Sequence, residues 1–314
     1  MNDLIRTIDH PRDREGEAAT AGERPPRREW LVTNGLGGYA SGTVAGVMTR
    51  RYHGLLIAAL AAPLGRIVMF NHLLERVRFP DRRIVWLGDE DEVAGQNAID
   101  RRGHLVEFRL ELGLPVWVYD VGGFVIEKRV LMPHGQNTVH LIYRVIEGDG
   151  TLRFALRPSV QFRPHESAVD ESPVKTYTLS AAENRYELST GTVFPPLRLM
   201  LHGERAALTL DAKDSSSVPY KMEEMRGYQW IGSLWSPGYF RADAERGQDV
   251  TLVASAESWD TIQALPPTEA AAAEAERRRR LIRIADLPDD DLFAAELVLA
   301  ADQFVICPAG RVEE

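Results

Sequence analysis

The sequence predicts a mainly β protein, a large antiparallel β-sandwich followed by helices at the C-terminal end. Between residues 29 and 259, short segments with alternating apolar and polar side chains follow one another. They are rich in Val, Ile, Phe and Tyr, and glycine, proline or Asp-Gly pairs separate them. No helical period interrupts the series until the composition changes at Pro266-Pro267. Strands that follow one another without intervening helices favour antiparallel sheets packed face to face.

The β region is expected to span residues 29–265. Residues 1–28 are polar and charged and contain Pro25 and Pro26, so a flexible lead-in is expected there. After EWLVT, the segments predicted as strands are HLVEFRL, PVWVYD, GFVIEKRVLM, NTVHLIYRVI, TLRFALRP, NRYELST, LRLMLHG, AALTLDA and DVTLVAS.

Two helices are predicted after residue 266. TEAAAAEAERRRRLIRIADL is alanine-rich, has glutamate near its start and carries its arginines late, which suits the helix dipole. The run 277–280 is therefore interpreted as a solvated helix end and not as a nucleic-acid patch. LPDDDLFAAELVLAADQFVI follows, with one apolar face at helical spacing. That face consists of Phe293, Leu297, Ala300, Ala301 and Phe304.

Composition excludes several classes of function. The net charge of −9 disfavours nucleic-acid binding, and no apolar run is long enough to cross a membrane. The single cysteine, Cys307, rules out a disulfide within the chain, and the N-terminus lacks the apolar core of a signal peptide. A cytoplasmic location is therefore expected. No HExxH motif or Cys-His cluster is present, so neither a metal nor a cofactor is expected.

The segment 34–56, NGLGGYASGTVAGVMTRRYHGLL, holds five glycines before its arginine, tyrosine and histidine residues. Its start fits a dinucleotide fingerprint, but further glycines and β-branched residues stand where a helix should follow, and no acidic residue stands where ribose would bind. A tight corner between strands explains the glycines. It does not explain the polar and aromatic residues at 49–54, which suit recognition of a sugar ring.

Two further segments are candidates for sugar contact. Residues 157–165, RPSVQFRPH, concentrate polar groups after a strand, and residues 227–240, GYQWIGSLWSPGYF, are rich in aromatic side chains that stack on sugars. Pro237-Gly238 predicts a turn, which would place Trp235 and Tyr239 near the end of a sheet. Core packing of these aromatic residues is the alternative.

EWLVTNGLGGYASGTVAGVMTRRYHGLLIA strongly resembles the opening signature of bacterial and archaeal glycogen debranching enzymes of the amylo-α-1,6-glucosidase type. FRPH, WSPGYF and the closing AADQFVI follow in the order expected for that family, so the resemblance covers nearly the whole chain from Glu29 onward. It implies a supersandwich of the galactose-mutarotase-like type, with residues 266–314 as a helical linker and the start of an α/α-barrel catalytic domain.

In that family the barrel carries the catalytic carboxylates, which hydrolyse α-1,6-linked glucose at glycogen branch stubs. Their segment follows AADQF and is absent from this sequence, so no catalytic residue is assigned and the chain alone is expected to be inactive. The implied partners are an α-glucan and the barrel. The resemblance suggests that the sandwich lends loops to the substrate cleft. The residues expected to contact substrate are Asn34, Arg50, Arg51, Tyr52, His53, Trp235 and Tyr239.

Three alternatives remain open. The chain could be an autonomous glucan-binding module, or a purely structural support for the barrel. An aldose epimerase on a similar sandwich would need a histidine and a carboxylate facing one sugar, for which only His140 and Glu127 suggest themselves. The exposed apolar face around Phe293, Leu297 and Phe304 predicts self-association, or docking of the last helix onto the sandwich.

Overall fold

The computed structural model describes residues 4–8, 28–88, 104–174, 176–288 and 291–308. Within these ranges the chain forms three antiparallel sheets and four helices, numbered here in chain order. The large sheet has nine strands. In spatial order they are β1 (Ile5–Ile8), β8 (Leu105–Glu111), β9 (Leu114–Val121), β10 (Phe124–Leu131), β11 (Thr138–Glu147), β19 (Asp249–Ser255), β16 (Leu197–His202), β15 (Arg185–Ser189) and β14 (Thr178–Ala182).

Two smaller sheets of five strands complete the sandwich. The first, named the β12 sheet, has the order β17 (Glu204–Pro219), β18 (Ile231–Ala244), β12 (Leu152–Ser159), β6 (His72–Arg78) and β7 (Ile84–Trp86). The second, named the β4 sheet, has the order β13 (Arg163–Pro164), β5 (Gly65–Phe70), β4 (Gly54–Leu60), β3 (Tyr39–Thr43) and β2 (Glu29–Thr33).

The core lies between the large sheet and the two smaller ones. Strand β12 alternates buried and half-buried side chains over its whole length, with Phe154 facing inward. Tyr143 of β11 meets Phe154 from the large sheet, with ring centroids 5.5 Å apart. Because successive strand residues point to opposite faces, this alternation is the pattern that the sequence displays. The predicted mainly β sandwich is therefore confirmed.

The N-terminal region differs from the expected flexible lead-in. Residues Ile5–Ile8 form β1, which pairs with β8 at the edge of the large sheet, and Leu4 is buried. Four residues are too short for a period-two pattern to be recognised in a polar context. The rest of the expected lead-in, residues 9–27, lies outside the described residues.

The turn predicted at Pro237-Gly238 is wrong, because both residues lie inside β18. They lie where β18 is no longer paired with β12. Strand β12 pairs with β18 as far as Phe240, and the contact resumes only at a single bridge between Val160 and Trp235. A proline donates no backbone N–H, so it is tolerated where ladder pairing lapses. Gly238, at φ 147°, allows the local distortion.

The helices are α1 (Lys221–Met225), α2 (Trp259–Gln263), α3 (Pro267–Ile284) and α4 (Leu292–Asp302). Helices α3 and α4 confirm the prediction for the C-terminal region, whereas α1 interrupts the β series where no helix was expected. Within the described part of the chain, no helix is long and apolar enough to cross a membrane.

The arginine run of α3 is not simply a solvated helix end. Arg278 is 1% exposed; its Nε lies 2.8 Å from Glu274 Oε1, and its Nη1 donates to the carbonyl oxygen of Leu112 at 3.1 Å. These bonds join α3 to the turn between β8 and β9. Ile282 of α3 contributes to a small apolar cluster beside them, together with Leu4, Leu112, Ala295 and Leu299.

Helix α4 contributes Ala295 and Leu299 to that cluster, and several of the apolar side chains in and just after it are exposed to solvent. Phe293 is 69% exposed, Leu297 53% and Phe304 86%. The apolar face predicted from the sequence is thus exposed, and the opposite face is the one that docks.

Candidate functional site

The glycine-rich segment forms a tight corner between β2 and β3. Gly35 and Gly37 have φ values of 74° and 97°, which glycine adopts at no steric cost. A strand follows the corner where a dinucleotide-binding fold would have a helix, so the structure agrees with the rejection of that motif. At Gly38, a Cβ would lie 2.7 Å from Asn34 Nδ2 and 2.8 Å from the carbonyl oxygen of Ile57.

Asn34 holds this corner together from the inside. Its side chain is fully buried. Oδ1 accepts hydrogen bonds from the backbone N–H groups of Leu36 and Gly38, at 3.0 and 2.9 Å. Nδ2 donates to the carbonyl oxygen of Gln136 and to Oδ1 of Asn137, at 3.0 and 3.1 Å. All four hydrogen bonds join Asn34 to other groups of the protein, so its side chain stabilises the conformation of the corner.

His53 and Arg50 bind a carboxylate of β2. Thr49 N donates to His53 Nδ1 at 3.1 Å, so the proton of a neutral imidazole resides on Nε2, which lies 3.4 Å from Glu29 Oε1. Arg50 Nε donates to the same oxygen at 2.6 Å. The hydrogen bond from His53, together with Arg50, lowers the pKa of Glu29 to about 2. His53 itself is 3% exposed.

Arg51 and Tyr52 lie at the surface beside the segment 163–166. Arg51 Nη2 donates to Tyr52 Oη at 2.7 Å, and Tyr52 Oη donates to Glu166 Oε2 at 3.0 Å. His165 Nε2 lies 3.1 Å from the other carboxylate oxygen of Glu166. Burial lowers the pKa of His165, so its ring is neutral at neutral pH. The guanidinium of Arg51 also lies 5.3 Å from the ring centroid of Tyr228, which is 55% exposed.

Two buried charged residues fix this arrangement from below. Arg163 is fully buried; its guanidinium donates to the carbonyl oxygens of Arg51, His165 and Ser167, and burial lowers its pKa. Glu223 of α1 is also fully buried and accepts from the backbone N–H of Arg51 at 3.0 Å. Removal of either charged group would leave buried polar groups without partners.

Arg66 extends this surface to the glycine corner. Its Nε donates to the carbonyl oxygen of Gly37 at 2.6 Å, and the His165 N–H donates to the carbonyl oxygen of Arg66 at 3.1 Å. We call the group the Arg51 surface; it comprises Arg51, Tyr52, Arg66, His165, Glu166 and Tyr228.

The segment after α4 reaches the glycine corner. The Cys307 N–H donates to the carbonyl oxygen of Gly35 at 2.7 Å, and a Cβ at Gly37 would lie 3.8 Å from Ile306 Cδ1. The last described residues of the chain therefore lie at one end of the Arg51 surface.

Trp235 and Tyr239 are not part of this surface. Trp235 stacks on Tyr177 with ring centroids 5.0 Å apart and packs against the core. Tyr239 lies between the guanidinium groups of Arg76 and Arg157, at 5.7 and 5.5 Å from its ring centroid. Because Phe240 next to it is fully buried, Tyr239 points to the outer face of the β12 sheet.

His140 and Glu127, suggested for an epimerase, do not face one sugar. Glu127 pairs with Arg109 and Arg129 on the face of the large sheet opposite to the core. His140 stands opposite Leu131, four residues along β10 from Glu127. In strand geometry this separates the two by roughly 13 Å.

The Arg51 surface offers hydrogen-bond donors from guanidinium and phenol groups, a carboxylate acceptor and an exposed aromatic face, a set that suits sugar hydroxyls.

Proton donation to a glycosidic oxygen needs a carboxyl whose pKa is raised. In the described ranges, the carboxyl pKa values that are displaced all move downwards, at Glu29, Asp81, Glu111, Asp211 and Asp243. No group of three or more His, Cys, Asp or Glu in those ranges is arranged to hold a metal ion.

The family comparison agrees with the sequence resemblance. The sequence profile described as "Glycogen debranching enzyme N terminal" matches residues 28–251, which is most of the chain. The chain belongs to this family of N-terminal domains. A search of curated proteins found no match.

Among solved structures, the chain is similar to a putative kojibiose phosphorylase from the human microbiome, with 11% identity and a TM-score of 0.36. The match covers 87% of this chain and 35% of that protein. A bacterial glucoamylase complexed with acarbose has 8% identity and a TM-score of 0.33, with 95% of this chain and 40% of that one covered. The chain thus spans well under half the length of either protein.

Proposed function

We propose that this chain is the N-terminal, substrate-cleft-completing domain of a glycoside hydrolase that removes α-1,6-linked glucose from glycogen branch stubs. In this account a barrel domain supplies both catalytic acids, and the sandwich supplies contacts to the glucan. Family membership supports the general role in glucan processing.

One observation carries the choice of surface. The backbone bond from Cys307 to Gly35, 2.7 Å long, brings the segment that follows α4 to the Arg51 surface. The chain passes Gly35 and Gly37 at Ile306 and Cys307, so a domain attached downstream would be connected through this point. A substrate held between the two domains would meet the exposed groups of this surface first.

Each residue has a distinct role in the proposal. Arg51 and Tyr52 bind glucan hydroxyls, and Glu166 accepts from one of them. Arg50 and His53 hold the turn through Glu29, and Asn34 shapes the corner. Trp235 and Tyr239, named from the sequence, take part only if the glucan extends over the β12 sheet.

Binding of maltotetraose to the full chain, measured by calorimetry, tests the proposal. Arg51→Ala should weaken binding by about tenfold, which corresponds to roughly 1.4 kcal/mol. Arg241→Ala, which removes an exposed arginine of β18, is the matched control and should leave the affinity unchanged. Thermal unfolding of each variant confirms that the fold is intact. Equal affinities for the chain and its Arg51→Ala variant would contradict glucan contact and favour a role in packing against the barrel.

A further inference from the structure

A cavity lies where the three sheets meet. The large sheet contributes Trp117, Tyr119 and Lys128 to its lining, the β12 sheet contributes Glu75, and the β4 sheet contributes Trp30. Other residues of the lining are only partly buried or exposed, which indicates the side on which the cavity opens: Gly46, Val47, Met48, His72, Leu74, Trp86 and Gly88. The cavity volume is about 50 Å³, which is room for several water molecules.

The floor of the cavity carries an ion pair that joins two sheets. Lys128 Nζ lies 2.6 Å from Glu75 Oε1, and the side chain of Glu75 is 3% exposed. Tyr143 Oη also donates to Glu75 Oε1 from behind. Burial of two charges costs several kcal/mol per ion unless their partners compensate, so apolar packing would be at least as stable here. The pair places a strong hydrogen-bond donor, Lys128, and a strong acceptor, Glu75, at the cavity. Because their charges cancel, the pair adds no net charge to the cavity.

Aromatic side chains form one wall. Trp30 and Trp117 pack edge to face with ring centroids 5.4 Å apart. Both indole N–H groups are already engaged, by the carbonyl oxygens of Thr43 at 3.2 Å and Val44 at 2.8 Å. The rings therefore offer the cavity only apolar surface, as a sugar-binding wall does.

The buried amide of Asn71 in the lining is held by protein groups. Asn71 is 2% exposed, and its Oδ1 accepts from the backbone N–H of Gln161 at 2.6 Å. Its side chain also interacts with the hydroxyl group of Tyr220, and this interaction opposes the rise in the pKa of Tyr220 that burial causes. Asn71 therefore shapes the lining and offers no free donor to a ligand. His72 beside it contacts the carbonyl oxygen of Gly46 at 3.2 Å, and burial lowers its pKa to about 4, so it adds no charge at neutral pH.

We infer that this cavity is a binding site for a small neutral polyhydroxy compound. The ligand is either a sugar that inserts the hydroxyl-bearing edge of one ring or a polyol of similar width. Lys128 donates to its hydroxyls, Glu75 accepts, and Trp117 with Trp30 packs against its carbon atoms. An anionic ligand is disfavoured because Glu75 already neutralises Lys128. The inference stands on the cavity alone and does not depend on the proposed role of the Arg51 surface.

Titration of the full chain, labelled with nitrogen-15 at the tryptophan indoles, with D-glucose or glycerol tests the inference. The Trp117 and Trp30 indole signals, assigned from Trp→Phe variants, should shift and saturate. Val47→Trp fills the opening of the cavity and should weaken binding by about tenfold or more. Val47→Ala leaves the cavity open and should bind as the unmodified chain does. The backbone of Val47 is held by Thr43 Oγ1, so both substitutions leave that link in place. Met48→Trp serves if Val47→Trp fails to fold.

Three results would overturn the inference. The absence of an indole shift with both D-glucose and glycerol would show that the cavity does not bind a ligand of this class. Equal binding by the Trp and Ala variants at position 47 would place the ligand elsewhere. Saturable shifts with inorganic phosphate but not with glucose would show that the site selects an anion. None of these results concerns maltotetraose binding at Arg51, so failure here and failure of the proposed function are distinguishable.

Discussion

Asn34 is the residue on which the glycine corner depends. Four side-chain hydrogen bonds converge on it in a fully buried position. Asn34→Ala should therefore reduce the free energy of unfolding by about 3 kcal/mol, because buried partners lose their bonds. Urea denaturation measures this change. Asn184→Ala, at an exposed position between β14 and β15, is the control and should cost little. Similar losses for both variants would contradict the structural role of Asn34.

The carboxylate of Glu29 makes the free energy of unfolding depend on pH under acidic conditions. Its pKa is about 2 in the folded protein against 4.5 ordinarily, so the folded state favours its ionised form. The resulting stability is fully present above pH 4.5 and is lost as the pH falls from 4.5 towards 2. Glu29 is partly exposed, so Glu29→Gln should cost only about 1 kcal/mol at pH 7.

Urea denaturation of the unmodified chain and of Glu29→Gln, at pH 7 and at pH 3, measures the free energy of unfolding of each. The difference in this free energy between the two proteins should be smaller at pH 3 than at pH 7. Glu171→Gln, which alters an exposed carboxylate elsewhere, is the control. A difference that stays constant with pH would contradict the assigned pKa of Glu29.

The sequence indicated which residue types gather at the candidate site but not how deep each one lies. Arg51 and Tyr52 are at the surface, whereas Asn34 and His53 point inward, although all four are polar residues of one loop. Glu223, which fixes the Arg51 backbone, was missed because its partner is 172 positions away in the chain. Whether the surface residues contact sugar stays a prediction.

At the scale of elements, Arg278 anchors α3 to the large sheet. It is buried, pairs with Glu274 and donates to Leu112. Arg278→Ala should cost about 2 kcal/mol, because the buried carbonyl oxygen of Leu112 loses its donor and Glu274 keeps only Arg277 as its partner. Hydrogen exchange of α3 and α4 should become faster. Arg280→Ala, at an exposed position of the same helix, is the control.

A double variant, Glu274→Leu with Arg278→Leu, sharpens the test of this anchor. Replacement of both charges should recover part of the stability lost in Arg278→Ala, because apolar side chains then fill the buried space and Arg277 keeps Asp302 as its partner. An Arg278→Ala variant as stable as Arg280→Ala would show that α3 docks through its apolar residues only.

Most strands were predictable because one face of each is buried, which produces period-two alternation in the sequence. The prediction failed where other forces decide the structure. Strand β18 continues through Pro237-Gly238 because β17 still pairs with it on the other side, as at Leu210 and Gly238. Helix α1 is five residues long, too short for a periodic signal.

For the whole molecule, the order of strands could not be predicted. Strand β11 pairs with β19, more than 100 residues later, and β19 then pairs with β16. Such pairings depend on which apolar faces meet after collapse, and local sequence carries no record of them. The strand pattern indicated antiparallel sheets packed face to face, and the resemblance to a known family added the supersandwich type.

The exposed face of α4 predicts self-association of the chain. Phe293, Leu297 and Phe304 present an apolar strip that a second copy would cover. Sedimentation at increasing protein concentration should show dimers. The triple variant Phe293→Glu, Leu297→Glu and Phe304→Glu should remain monomeric with unchanged stability. A chain that stays monomeric without these substitutions would contradict the prediction.

The central claim is that this domain helps to bind glucan while the hydrolytic acids lie elsewhere. Release of glucose from a branched limit dextrin by the purified 314-residue chain tests it most directly. We expect no release, in a preparation that still binds maltotetraose through Arg51. Release that persists after contaminating enzymes are excluded, and that is lost on substitution of Glu166, would contradict it and place the acid chemistry within the sandwich.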